Sequence, residues 1–105
     1  MARTFVDAGH RCDSARVLWV AVLHISDRTA QKLRSKHDIE PDDVRDAVVC
    51  RPRLFYVEDI HPERGHRMIV SARIREVPSY VVLYPDDGDP FGDVWHLGSA
   101  YPLTG

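Results

Sequence analysis

Cysteine is scarce in this chain. Cys12 and Cys50 are the only two, in no metal-binding or redox spacing, which excludes a disulfide framework and leaves both as expected free thiols. Lysine is equally scarce: Lys32 and Lys36 stand alone, so nearly all of the 14 basic residues are arginines, suited to bidentate phosphate contacts and stacking. No long hydrophobic run is present. The longest, residues 17–23, is far too short for a membrane span of about 20 residues. Residues 1–16 carry Arg3, Asp7, His10, Arg11, Asp13 and Arg16 without an apolar stretch, so no secretory leader is expected and a cytoplasmic location is. An excess of positive charge is also missing. A net charge of -2 and a pI near 6.3 exclude a protein that grips nucleic acid over its whole surface, and any RNA-binding surface must be local.

What remains is an ordinary globular composition, 44% hydrophobic and 29% charged, in 105 residues: one domain with one core. Residues 1–16 read as a loose N-terminal arm and 17–105 as the domain. Residues 17–25 are apolar on both alternating faces, the pattern of a central or core-packed strand. Two helices are expected at 27–37 and 41–50, and Arg51-Pro52 stops the second because proline forces its predecessor out of helical space. Strands are expected at 53–60, 66–75, 79–85 and 93–101, with turns at His61-Pro62-Glu63-Arg64-Gly65 and Glu76-Val77-Pro78, giving an antiparallel meander. The expected architecture is α+β: a two-helix layer packed on a mainly antiparallel sheet of about five strands.

The best-specified stretch is the corner between the helices. Ser26 and Asp27 suit an N-cap, and Ala30, Leu33 and His37 share a helical face. Asp38 tolerates the left-handed conformation that ends a helix. Pro41, Asp42 and Asp43 then suit a helix start, with Ile39 stapled onto Val44. Glu40 is the weak N-cap.

The run His24-Ile25-Ser26, Lys32-Leu33, Lys36-His37-Asp38-Ile39 and Asp42-Asp43-Val44 resembles the lysine-histidine-glycine-(Ile/Val) helix pair of BrnT-like toxins, within the broad RelE/ParE-like set. The resemblance covers residues 18–101. It implies a type II toxin that cuts messenger RNA and is neutralised by a cognate antitoxin protein, and it makes Lys36 and His37 motif positions. Two departures stand out. Asp38 replaces the usual glycine, and Leu97-Gly98-Ser99-Ala100-Tyr101 replaces an arginine-rich last strand.

Strand alternation divides the sheet into two faces. Met68, Val70, Ala72 and Ile74 form an apolar row, and Arg67, Ser71, Arg73 and Arg75 form its opposite. Trp95 and Leu97 read as core, which puts His96 and Gly98 on the open side with Arg67 and Arg73. These residues suit metal-independent RNA cleavage: His96 as acid or base, arginines as a phosphate clamp, and Tyr80, Tyr84 or Tyr101 as stacking surfaces, with Arg75 at the substrate. The bland alternative is a solvated strand face. His37 has its own, since a histidine on an apolar stripe commonly packs rather than reacts. The acidic residues 86–93 match no calcium-loop spacing and read as a hairpin connection, and His61 with His66 lacks a third ligand. Neither a metal centre nor a cofactor is expected. The competing functional class is a non-catalytic binding module, an inactive relative whose open face or edge strand receives a peptide.

Overall fold

The computed structural model describes residues 18–103. The arm expected at residues 1–16, with Cys12, lies outside them. The element order is β1 (Val22–His24), α1 (Asp27–His37), α2 (Pro41–Val48), β2 (Phe55–His61), β3 (Gly65–Ile74), β4 (Val77–Pro85) and β5 (Val94–Pro102). The five strands form one sheet in the order β1-β5-β4-β3-β2, antiparallel throughout except for the parallel β1–β5 pair. The α+β architecture with two helices on a mainly antiparallel sheet is therefore the one expected.

The helical corner forms as its cues dictate. The Ser26 hydroxyl accepts the Thr29 backbone N–H at 3.1 Å, and Asp38 sits left-handed at φ 55°, ψ 40°. The Ile39 N–H returns to the Leu33 carbonyl at 3.0 Å, closing the helix end. Glu40 makes no side-chain cap, and its carboxylate instead accepts from Arg34 Nε at 3.1 Å. Ile39 and Val44 are both buried, as the staple requires.

The apolar stretch before α1 differs from a central strand. Only three residues pair, at an edge of the sheet. Leu18, Val20 and Leu23 are buried, a sequence of positions that changes parity across the bend at Ala21, so apolar residues on both alternating faces mark one bent segment rather than two covered faces. Val20 forms an isolated parallel bridge with Val49, and the Cys50 N–H donates to the Val20 carbonyl at 2.8 Å. That capture ends α2 at Val48, short of the Arg51-Pro52 stop.

The β3–β4 connection also differs. It is the two-residue turn Arg75-Glu76, both with positive φ (52° and 69°), so Val77 and Pro78 belong to β4. The core lies between the helices and one sheet face. Leu33, Ile39, Val44 and Val48 pack on Val70, Ile74, Val81, Leu83, Trp95, Leu97 and Ala100. In β5 the register slips by one residue, because Val82 pairs with Ser99 and Leu83 with Leu97. Gly98 is the extra residue of this bulge. The slip moves Ala100 into the core and Tyr101 out of it.

Candidate functional site

On the face away from the helices, strand register aligns one row of polar side chains across all five strands. Asp59 pairs with Arg67, Tyr84 with His96, and His96 with His24. Arg67 lies one step beyond the Met68–Leu83 pair, which brings it beside Tyr84. The result is a continuous line: Asp59, Arg67, Tyr84, His96, His24.

Each member is held by its neighbours. Arg67 meets the Asp59 carboxylate with Nη2 at 2.6 Å and Nε at 2.7 Å. The hydrogen bond that Arg67 donates to Asp59, with a second to Tyr84, raises the Arg67 pKa above its ordinary value, so its proton is firmly held. Tyr84 is buried although its face carries no helix, because the Arg64 guanidinium lies 3.8 Å above its ring centroid. Arg64 is presented by the β2–β3 turn, where the His61 Nδ1 accepts the backbone N–H groups of Glu63 and Arg64, each at 3.1 Å. The rings of His24 and His96 stack with centroids 5.0 Å apart. The Asp86 carboxylate stands 3.5 Å from His96 Nε2, and about half of the His96 side chain is open to solvent.

These groups surround a cleft of about 450 Å³ with His24, Arg64, Tyr84, Asp86 and His96 in its walls. Ser26 and Thr29, at the start of α1, line it too, so the positive end of that helix borders the cleft. The acidic connection is more than solvated turn residues. Asp89 accepts backbone N–H groups from Val94 at 2.9 Å and Phe91 at 3.2 Å, which lowers its pKa. So braced, the loop delivers Asp86 to His96, and its Asp93 carbonyl accepts the Ala21 N–H at 2.9 Å, tying down the segment that carries His24.

The residues expected from sequence fall into two groups. His96 and Tyr84 come together in the cleft, and Arg67 stands beside Tyr84 in the same row, outside the cleft walls. Arg73 shares their sheet face but lies at its far end. It pairs with Pro78, six positions from Tyr84 along β4, which is about 20 Å at 3.3 Å per residue. Arg75 is in the β3–β4 turn, 3.9 Å from Asp43. Tyr80 and Tyr101 meet edge to face at 5.9 Å, Tyr101 lies 6.3 Å from His37, and Lys36 is exposed on the last turn of α1. Arg67 is also not a free clamp, since Asp59 neutralises it.

Three cleft residues escape a sequence reading: His24, Arg64 and Asp86. His24 ends an apolar stretch, Arg64 sits in a turn and Asp86 in an acidic loop, and no local pattern joins them. Only the parallel pairing of β1 with β5 brings His24 to His96. Among the described residues no three His, Cys, Asp or Glu side chains are grouped to hold a metal ion, and no helix is long and apolar enough to cross a membrane. Comparisons with family models, with curated proteins and with solved structures return no match for this chain.

Proposed function

We propose that this domain is a BrnT-like member of the RelE/ParE-like toxins, the toxin half of a type II pair, cutting messenger RNA in the cytoplasm without a metal. The stacked pair His24 and His96 carries the reading. One imidazole takes the proton of a ribose 2′-hydroxyl. That oxygen attacks the adjacent phosphorus, the bond from phosphorus to the 5′-oxygen breaks, and the other imidazole, protonated, donates to the leaving oxygen. The products are a 2′,3′-cyclic phosphate and a free 5′-hydroxyl.

Arg64 supports this assignment, because it makes no ion pair among the described residues and its charge is available to the phosphate. Arg67 acts at one remove: it positions Tyr84, whose buried ring carries the Arg64 guanidinium at the cleft. Asp86 orients His96. Of the motif positions of the resemblance, His37 lies by Tyr101 and Lys36 is exposed on the last turn of α1, so both belong to the helix corner rather than the reacting centre.

Induction of the chain alone in a bacterial host, followed by growth and total-RNA integrity, tests the reading. Arrest with RNA cleavage is expected, and His24→Ala and His96→Ala, both at exposed positions, each abolish it while the protein stays folded. Co-expression of an adjacent antitoxin gene restores growth. Intact RNA from a folded, soluble product would refute the ribonuclease and leave the binding module.

A further inference from the structure

A second concave site lies at the far end of the sheet, between α2, residues 51–54 and the end of β3. Its volume is about 520 Å³, and Arg51, Arg53, Arg73 and Arg75 all line it, with Asp43 and Asp46 offsetting half of their charge. Of these arginines only Arg75 approaches a carboxylate among the described residues, at 3.9 Å from Asp43. Arg51 and Arg73 donate instead to the backbone carbonyls of Asp46 and Glu76, at 2.8 and 3.2 Å.

Two of the four are held in a conformation that arginine disfavours. Arg53 has φ 61° and Arg75 φ 52°, left-handed positions where glycine or asparagine is the less strained choice. Cys50 and Glu76 also have positive φ, so four of the five such non-glycine residues among the described residues lie on the two connections that carry Arg53 and Arg75. A two-residue hairpin turn ordinarily carries Asn-Gly. Here it carries Arg-Glu, at a conformational cost that the guanidinium must justify.

We propose that this groove docks an extended acidic segment of a partner protein. Two observations favour a peptide over RNA. First, β2 begins with Phe55 opposite Ser71, so Ala72–Ile74 of β3 have no strand on that side among the described residues, and a chain laid there gains backbone hydrogen bonds. Second, the walls between the arginines are aliphatic, Ala47, Leu54 and Ala72, with no aromatic ring to stack a base. A segment alternating acidic and aliphatic residues fits both: carboxylates reach the arginines on one side, and aliphatic side chains meet the wall on the other. The assignment is independent of RNA cleavage, since the groove shares no residue with the histidine cleft.

The test is fluorescence anisotropy on the full chain with three labelled probes: a ten-residue alternating Glu-Val peptide, its Lys-Val counterpart and a ten-nucleotide oligouridylate. The acidic peptide binds and the basic one does not. Arg53→Asn with Arg75→Asn weakens acidic-peptide binding on the order of tenfold, the scale of losing a charge-assisted contact. Asparagine tolerates positive φ, so the same variant keeps its melting temperature and separates lost contacts from lost fold. His24→Ala with His96→Ala leaves peptide binding unchanged. Equal peptide affinity in wild type and the arginine double variant overturns the proposal, as does oligouridylate binding that this variant alone removes, which would make the groove a nucleic-acid site.

Discussion

Replacing Gly98 by alanine reports directly on whether the cleft is assembled as described. Gly98 is the bulge residue of β5, and its φ is not positive, so space rather than backbone freedom demands glycine. A Cβ there falls onto Cε2 of Tyr84, lies 2.9 Å from Cδ2, and has the Val82 carbonyl oxygen 3.4 Å behind it. The ring has little room to retreat, because Arg64 covers it at 3.8 Å and Arg67 holds its hydroxyl. Forcing a methyl group into such a site costs about 1–3 kcal/mol. For a domain of this size each kcal/mol moves Tm by about 4–8 °C. The assay is a double-mutant cycle by thermal and urea unfolding, with Tyr84→Ala as the second change. In that background the Gly98→Ala cost falls to a few tenths of a kcal/mol, leaving a coupling of about 1–2 kcal/mol. Equal costs in both backgrounds would refute the packing of Tyr84 on Gly98. If the proposed ribonuclease activity is present, Gly98→Ala in the otherwise native chain is expected to lower it beyond the fraction unfolded, because Tyr84 is displaced from between Arg67 and His96.

Asp59→Asn removes the charge partner of the half-buried Arg67 and is expected to cost about 1–2 kcal/mol in urea unfolding; an unchanged midpoint would show that the pair is energetically silent. Asp89 has a lowered pKa, chiefly through the Val94 N–H. It therefore binds its proton more weakly folded than unfolded, and its contribution is full at neutral pH and lost as pH falls below the ordinary value of 3.8. Asp89→Asn should accordingly flatten the acid limb of the stability profile, and an identical acid limb would sink the loop bracing. Asp38→Gly, at φ 55°, should raise stability by about 0.5–1 kcal/mol in the same assay, since the left-handed position then carries no Cβ; destabilisation would mean that the aspartate side chain contributes to the corner.

How much of this could be read from the chain depended on the range of the interactions. The α1–α2 corner was legible because Ser26, Asp38 and Pro41 act on their own backbone or that of near neighbours. The meander was legible because Pro62, Gly65 and the alternation of β3 and β4 are local as well. Position in the sheet was not, since the edge place and parallel direction of β1 follow from pairing with a strand near the other end of the described chain. The site divided the same way. Alternation placed His96 on the open face with Arg67, but the distance from Arg73 to His96 runs along β4, a dimension that alternation does not measure. Arg75 and Glu76 hid the hairpin turn because neither is a turn former; Val77-Pro78 drew the expectation one step too late.

The shortest strand joins the two imidazoles, and this makes the order of assembly matter. Closing β1 onto β5 brings together segments separated by nearly the whole described chain, a loop whose entropy must be offset by three paired residues and the burial around them. The β2–β5 meander is built of adjacent hairpins and needs no such closure. The histidine pair should accordingly form after the meander, and transient release of β1 would part the imidazoles while the remaining four strands stay folded. A nascent chain would then have no complete cleft until β5 had emerged from the ribosome, so whatever chemistry the histidine pair performs is confined to the finished sheet.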